Sequence, residues 1–113
     1  MTGAPWPPEV AAAFALHLVA GDEGEPVELG MVFVDGALYV RAFRGPRSQW
    51  FQAAVALGRG HVRIGPLERD VFLSHHTGDS AAIDAAYHAK YGGDSTLIDN
   101  PRARSATLRI DPA

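Results

Sequence analysis

The dipeptide Asp35-Gly36 is the feature that most constrains the fold of this 113-residue chain. A two-residue hairpin turn of type I′ needs positive φ at both central residues, and Asp-Gly is among the favoured pairs for it. Residues 27–34 precede the dipeptide and residues 37–43 follow it, and both segments have the apolar alternation typical of strands. The sequence therefore predicts an antiparallel hairpin from residue 27 to residue 43.

The turn also sets which side chains of the hairpin share a face. A two-residue turn pairs Met31 with Val40 and places Gly30 opposite Arg41, because side chains alternate along each strand. The face that contains the arginine is otherwise apolar and consists of Val32, Val34, Tyr39, Arg41 and Phe43. A guanidinium in such surroundings needs an anionic or carbonyl partner, because an unpaired buried charge is costly. Two partners are open: Glu28, diagonal across the hairpin, and the anion of a bound ligand.

A second pair of strands surrounds Gly65-Pro66 and carries another arginine on an apolar face. If the strands pair across these two residues, His61 faces Asp70, and Arg69 shares its side with Val62, Ile64, Val71 and Leu73. The other predicted strands are residues 16–20 and 106–110. The predicted helices are a short Ala-rich segment ending near Phe14, residues 48–57 and residues 81–91. The fold class is thus α+β, with six strands and two or three short helices.

Composition excludes several kinds of site. The chain has no cysteine, which excludes disulfides and thiol catalysis and is typical of a protein in the reducing cytoplasm. No familiar ligand spacing of His or acidic residues occurs, so no metal site is expected. No Lys or Arg precedes Arg41, so no signal peptide is visible, and the apolar run 10–20 is too short to span a membrane. We expect one cytoplasmic domain over residues 1–113, with a loose Pro-rich segment 1–8 and no membrane partner.

The net charge of −3 is unevenly distributed, because acidic and basic side chains concentrate in different parts of the chain. Residues 1–40 contain six acidic and no basic side chains, whereas residues 41–69 contain six arginines and one glutamate. A nucleic-acid-binding protein usually has an overall excess of basic charge, so nucleic acid is not an expected partner. The middle segment instead predicts a local site for a small anion.

The helix over residues 81–91 is the second source of candidate functional residues. Its stripe of Ile83, Tyr87 and Lys90 or Tyr91 puts two phenols and one amine on one face. In an enzyme, Tyr87 or Lys90 would act as acid or base, with Arg41 as an electrostatic stabiliser. In a structural reading, the stripe is the edge of the core and Lys90 extends its amine to water.

Four blocks of sequence carry a family resemblance: LYVRAFRGPRSQWF (38–51), ERDV (68–71), DAAYHAKYG (84–92) and ATLRIDP (106–112). They resemble a family of small bacterial proteins of unknown function that is similar to flavin- and deazaflavin-binding split barrels, including deazaflavin-dependent nitroreductases. The resemblance covers about Val10 to Pro112. It implies a six-stranded split β-barrel, a homodimer, and a cofactor cleft at the subunit interface. It also implies that residues 45–51 are similar to a cofactor-contacting stretch.

These observations together predict a ligand-binding site made of Arg41, Arg44, Ser48, Trp50 and Arg69. Arg41 and Arg69 come from separate hairpins that a closed barrel would bring together. We therefore expect their guanidinium groups to converge on one anion-binding pocket. Two guanidiniums in one pocket repel each other, so a ligand anion or internal acidic side chains must compensate their positive charge.

Three functions follow as alternatives. The first is a small-molecule-binding split barrel with flavin mononucleotide or a deazaflavin as cofactor and oxidoreductase activity. The second is a cofactor-free cyclase or isomerase that acts on an anionic or polyketide-like molecule. The acidic loop 21–25 counts against the first function, because carboxylates repel a cofactor phosphate. The third is a non-enzymatic dimeric ligand-binding module.

Overall fold

The computed structural model describes residues 6–7, 10, 12–78, 80–93 and 100–113. These residues form six strands and three helices. The strands are β1 Ala15–Ala20, β2 Val27–Val34, β3 Ala37–Arg41, β4 Arg59–Ile64, β5 Leu67–His75 and β6 Thr107–Pro112, and the helices are α1 Gln49–Leu57, α2 Ala81–Tyr91 and α3 Pro101–Arg104. The predicted α+β class with a six-stranded barrel is confirmed. Of the predicted loose segment 1–8 only residues 6 and 7 are described, and residues 8, 9 and 11 of the predicted N-terminal helix also lie outside the described residues.

The strands close into an antiparallel barrel in the order β1-β2-β3-β6-β5-β4. Every second side chain points inward, and together these side chains form the main hydrophobic core. Its largest fully buried side chains are those of Leu16, Leu18, Met31, Leu38, Val40, Val62, Val71, Leu108 and Ile110. Burial of one such side chain contributes about 1.5–3 kcal/mol, so this core stabilises the barrel more than any surface ion pair does.

The hairpin turn forms as predicted, but the two strands separate early. Asp35 and Gly36 have φ of 51° and 81°, the positive values that a type I′ turn requires. The β2–β3 pairs run from Val34–Ala37 to Met31–Val40 and end there, so Gly30 is not paired with β3; on its other side, β3 continues to the pair of Arg41 with Thr107 of β6. The predicted pairing of Gly30 with Arg41 is therefore wrong. β3 also ends two residues before the predicted boundary, because the chain turns away from β2.

The second hairpin confirms its predicted register, with His61 opposite Asp70. Gly65 has φ of 58°, whereas Pro66 is the second central residue of the turn. Proline fits here because a type II′ turn needs positive φ only at its first central residue, and proline holds φ near −65°.

The helices lie outside the strands and cover different parts of the barrel. α1 packs against β1, β4 and β5, and it buries Phe51 and Ala54 in the main core. It ends at Gly58, whose φ of 69° is the left-handed conformation typical of a helix C-terminus. α2 packs on the outer face of β2, where Ile83 and Tyr87 form a second small core with Val32 and Tyr39.

α3 is not among the helices that the sequence predicts. The side chain of Asn100 accepts a hydrogen bond from the backbone N–H of Ala103, and Pro101 occupies the first helical position. Asn before Pro is a known signal for the start of a helix. The helix is only four residues long, and no apolar stripe marks it in the sequence.

Candidate functional site

A cleft of about 1000 Å³ opens where β2 and β3 separate. One side of it is the start of β2, and the other is the segment 42–48 with the first turns of α1. Leu18, Leu29 and Ala42 line the cleft and also belong to the buried core. The gap in the β2–β3 ladder thus produces a site with an apolar floor at one end of the barrel.

The rim of the cleft on the α1 side is basic. Arg44 and Arg47 both line the cleft, and the guanidinium of Arg44 lies 5.7 Å from the ring centre of Phe43. Among the described residues, neither arginine has a carboxylate within ion-pair distance. Each positive charge is therefore available to an anion that enters the cleft.

The N-terminus of α1 adds to this positive rim. Ser48 occupies the N-cap position, but its side chain makes no capping hydrogen bond, and the first turn of α1 contains no acidic residue. The first N–H groups of a helix carry a partial positive charge, which favours a nearby anion. Ser48 lines the cleft, so its hydroxyl and the start of α1 face the same space as the two arginines.

A sharp turn at Gly45 positions Arg44, Arg47 and Ser48 on the rim of the cleft. Its φ is 86°, its N–H donates to the carbonyl of Ala42, and its carbonyl accepts from the N–H of Ser48. A Cβ at this position would lie 2.2 Å from the Cγ of Arg102, in addition to the strain of positive φ. Glycine therefore lets the chain leave β3 and enter α1 within a few residues, with Arg44 and Arg47 on either side of the turn.

The opposite wall of the cleft is acidic. Glu25, from the loop between β1 and β2, and Glu28, near the start of β2, both line it. Glu28 also lies 3.8 Å from His17 on the neighbouring strand. The cleft therefore has an anion-attracting side and a cation-attracting side, separated by an apolar floor.

Trp50 gives the cleft an aromatic wall. It is partly buried and lines the cleft, whereas its neighbour Phe51 is only 3 % exposed and belongs to the core. The two rings meet edge to face with their centres 5.9 Å apart. Trp50, which the sequence analysis assigned to the ligand site, is therefore partly buried on α1 and lines the cleft.

Arg41 is buried and is paired inside the protein. Its side chain Nη1 donates to Asp84 of α2 at 2.5 Å, and its Nε donates to the hydroxyl of Thr107 at 3.1 Å. Its guanidinium also lies 5.5 Å from the ring centre of Tyr87. The internal partner is therefore Asp84, and the expected pairing with Glu28 is wrong. Asp84 is 43 residues from Arg41 in the sequence, so the pairing of strands in the hairpin could not predict this ion pair.

The expected convergence of Arg41 and Arg69 is wrong. Arg69 points to the inner side of the barrel, where its guanidinium lies 5.8 Å from the ring centre of Trp6. β6 begins at Thr107, beside Arg41, and ends beside Val71, two residues from Arg69. The two arginines thus lie on opposite faces of the barrel wall and near opposite ends of it. Strand alternation showed that each face is apolar, but it could not show which face is the interior.

The three polar residues predicted on the stripe of α2 hold the helix to β2. Tyr87 is fully buried, and its hydroxyl donates to the carbonyl of Gly30 at 3.1 Å; burial raises its pKa. The Nζ of Lys90 donates to the carbonyl of Met31 at 2.9 Å, and partial burial lowers its pKa. The hydroxyl of Tyr91 accepts from the N–H of Met31 at 2.8 Å, and burial raises its pKa. These bonds join α2 to the backbone of Gly30 and Met31 in β2.

The predicted site residues therefore divide into three groups. Arg41, Arg44, Ser48 and Trp50 all line the cleft, although the guanidinium of Arg41 is committed to Asp84. Arg69 lies elsewhere, and Tyr87 and Lys90 belong to the α2 layer. Sequence reasoning missed Arg47, Glu25 and Glu28 as cleft residues. For Arg47 a signal was available, because it lies within residues 45–51, the stretch similar to a cofactor-contacting segment.

A smaller pocket of about 430 Å³ lies on the barrel surface between β1, β4 and β5. Asp22 and Arg59 form an exposed ion pair at one side of it, and the hydrogen bond from Arg59 lowers the pKa of Asp22. His61 lies at the other side, 3.1 Å from Asp70, and this contact is the largest cause that raises its pKa. These polar groups already have partners within the protein, so the pocket ranks below the cleft as a ligand site.

Comparisons with known proteins identify the family. Within the described residues, no cluster of three or more metal-ligating side chains occurs, and no helix is long and apolar enough to cross a membrane. No curated protein matches the sequence. A family model described as "Uncharacterized protein conserved in bacteria (DUF2255)" matches residues 12–110. The chain belongs to the bacterial DUF2255 family.

Proposed function

We propose that this protein binds a small molecule with an aromatic body and an anionic group in the cleft between β2 and α1. Flavin mononucleotide or a deazaflavin is the proposed cofactor class. One observation carries the proposal: two arginines without a carboxylate partner in the described chain, Arg44 and Arg47, share a cleft of about 1000 Å³ with Trp50.

Each part of such a ligand has a matching group in the cleft. The anion would accept charge-assisted hydrogen bonds from Arg44, Arg47 and the Ser48 hydroxyl, next to the N-terminus of α1. The ring system would pack on the indole of Trp50 and on the apolar floor. The acidic wall would repel a second phosphate, so one phosphate fits this cleft better than two. A flavin or deazaflavin bound here would supply hydride transfer and oxidoreductase activity.

The acidic wall supports a second candidate function. Glu25 and Glu28 face the side of the cleft opposite the arginines. A ligand with an anion at one end and a hydrogen-bond donor or cation at the other would satisfy both walls. This arrangement favours a cofactor-free cyclase or isomerase over a passive binding module, because opposed charges can stabilise charge that develops during a reaction.

A homodimer in the cytoplasm is part of the proposal. Phe43 lines the cleft and is 55 % exposed, which leaves apolar surface next to the ligand for a second copy to cover. Sedimentation velocity at micromolar concentration tests the assembly. A 24 kDa species, twice the chain mass of 12.0 kDa, would support the dimer, and a 12 kDa species would contradict it.

Fluorescence quenching of Trp50 tests ligand binding in this cleft. The chain has two tryptophans, and in the described residues the indole N–H of Trp6 has no hydrogen-bond partner, so Trp6→Phe removes no such bond. In that background Trp50 is the only tryptophan. Titration with flavin mononucleotide should quench it to saturation, and Arg47→Ala should weaken the binding.

Arg63→Ala is the matched control, because Arg63 is an exposed arginine of β4 that does not line the cleft. It should leave the titration unchanged. A parallel titration with the anionic dye 1-anilinonaphthalene-8-sulfonate distinguishes general binding of an aromatic anion from specific binding of flavin. If the dye binds with the same dependence on Arg47 but flavin does not, the cleft is an anion site and the flavin assignment is wrong. If neither quenches Trp50, the binding proposal itself is wrong.

A further inference from the structure

The chain contains a single lysine, Lys90, beside nine arginines. Arginine is not deprotonated in proteins, so Lys90 provides the only side-chain amine that can act as a nucleophile. It lies near the C-terminal end of α2, is partly buried, and lines a groove of about 580 Å³ between α2 and β2.

This groove is apolar apart from the lysine. Its other walls are Ala12, Phe14, Val32, Phe33, Ala86 and Ala89. The Nζ of Lys90 lies 5.9 Å from the ring centre of Phe14 and 5.6 Å from that of Tyr91. The Phe14 ring is 65 % exposed, which is unusual for a large apolar side chain and leaves one side of it available for contact. The groove therefore has room and surface for a small apolar molecule beside an amine.

The surroundings of the amine favour its neutral form. In the part of the chain that the structure describes, no carboxylate lies within ion-pair distance of Lys90. Its one hydrogen bond there is the donation from Nζ to the carbonyl of Met31 at 2.9 Å. Partial burial without a counter-ion lowers the pKa of Lys90, and neutral lysine is the nucleophilic form.

We propose that Lys90 is a carbonyl-reactive amine, and that the groove takes a small aldehyde with an apolar or aromatic body. The Nζ lone pair attacks the aldehyde carbon and forms a C–N bond while the C=O π bond breaks, and one Nζ proton passes to the oxygen to give a carbinolamine. Loss of the hydroxyl group as water then gives the imine, so one aldehyde and one amine yield one imine and one water. The protonated imine keeps one N–H, which can still donate to the Met31 carbonyl, while the apolar body lies along the groove.

This site is separate from the cleft of the proposed function. The cleft lies between β2 and α1, whereas the groove lies on the outer side of β2 under α2, and the two share none of their lining residues. The failure of one assignment therefore leaves the other standing.

Reductive trapping on the full-length protein tests the proposal. Protein is incubated with benzaldehyde and sodium cyanoborohydride, and peptide mapping quantifies the adduct at Lys90 and at the N-terminal amine. We expect the adduct at Lys90 to form about tenfold faster than on free Nα-acetyl-lysine amide, because the groove holds the aldehyde next to the amine. The rate should saturate with benzaldehyde concentration. Glyoxylate, which has no apolar body, should show no such acceleration.

Two variants separate binding in the groove from simple amine reactivity. Lys90→Arg keeps the charge and a donor for the Met31 carbonyl but should give no adduct at residue 90. Ala89→Leu narrows the groove without touching the lysine and should slow the trapping. Ala85→Leu is the matched control on the same helix, because Ala85 is exposed and does not line the groove. A rate at Lys90 no faster than on the free amino acid, or one that Ala89→Leu and Ala85→Leu change equally, would overturn the proposal.

Discussion

The carboxylate of Asp84 on α2 pairs with the buried guanidinium of Arg41 on β3, and this pair joins the outer helix to the barrel wall. Asp84 also accepts a hydrogen bond from the Nε of Arg104 at 2.9 Å, so one carboxylate serves two arginines. Both arginines lie next to the start of β6. Arg41 is opposite Thr107, the first residue of β6, and Arg104 precedes Thr107 by three residues in the chain. The position of α2 on the barrel therefore depends on this carboxylate.

Removing the carboxylate of Asp84 should strongly destabilise the fold. Asp84→Ala removes the carboxylate that pairs with the buried Arg41 guanidinium, and removal of one member of a buried ion pair typically costs about 3–5 kcal/mol. Arg104→Ala is the comparison: its side chain is 38 % exposed, and Asp84 would keep Arg41, so a loss of about 1 kcal/mol or less is expected. Urea unfolding measures both. Equal losses for the two variants would show that the buried pair does not hold the helix.

Trp50 and Phe51 are adjacent on α1, but their replacement by alanine should affect stability and ligand binding differently. Phe51→Ala empties a position in the main core and should cost about 3–5 kcal/mol of unfolding free energy. Trp50 faces the cleft, so Trp50→Ala should cost much less in stability but abolish the binding of an aromatic anion. Thermal unfolding with and without ligand distinguishes the two effects. A loss for Trp50→Ala as large as that for Phe51→Ala would make Trp50 a core residue.

The hydroxyl of Tyr91 should protect one backbone amide. It accepts from the N–H of Met31 and donates toward the carbonyl of Phe14 at 2.5 Å or that of Met31 at 2.7 Å. Tyr91→Phe leaves the Met31 N–H without this acceptor and should cost about 1–3 kcal/mol. Hydrogen exchange at the Met31 amide should accelerate, while exchange at the Val40 amide, within the β2–β3 ladder, should change little. Unchanged exchange at Met31 would show that another group satisfies the amide.

Stability should depend on pH through His61. The hydrogen bond to Asp70, together with the one to Glu68, raises its pKa above the ordinary value of 6.5. The protonated form is thus favoured in the folded state. The stabilisation is fully present below the unfolded-state pKa and is lost as the pH rises through the folded-state pKa.

The side chain of His61 is 39 % exposed, so solvent screens the interaction and the effect should stay below about 1 kcal/mol. His61→Gln should remove this part of the pH dependence, and NMR titration of the imidazole gives its pKa directly. A pKa at or below 6.5 would contradict the assignment.

Local sequence patterns predicted the strands and helices, whereas contacts between residues far apart in the sequence determine the geometry of the candidate site. Asp35-Gly36 set both the turn and the pairing of Met31 with Val40, because a two-residue turn allows one register. Alternation correctly put Arg41 among apolar neighbours. Its partner could not be deduced, because α2 reaches the barrel through packing that involves residues far apart in sequence.

The cleft itself was only partly predictable. Ser48 and Trp50 lie in residues 45–51, the stretch similar to a cofactor-contacting segment, and Arg44 directly precedes it; all three line the cleft. The opposing acidic wall of Glu25 and Glu28 arises from the separation of β2 and β3, which no residue pattern marks. The end of a ladder depends on how neighbouring strands close the barrel rather than on the local sequence.

The most direct test of the anion-binding cleft compares flavin mononucleotide with riboflavin, which lacks the phosphate, by isothermal titration calorimetry. The wild-type protein should bind the phosphorylated ligand more tightly by about 1.5–3 kcal/mol, the contribution of hydrogen bonds to a charged group. The double variant Arg44→Ala, Arg47→Ala should lose this difference while keeping its affinity for riboflavin, and Arg63→Ala should keep both. Equal affinities of the wild-type protein for the two ligands, or a difference that survives in the double variant, would contradict the assignment of the anion site to these arginines.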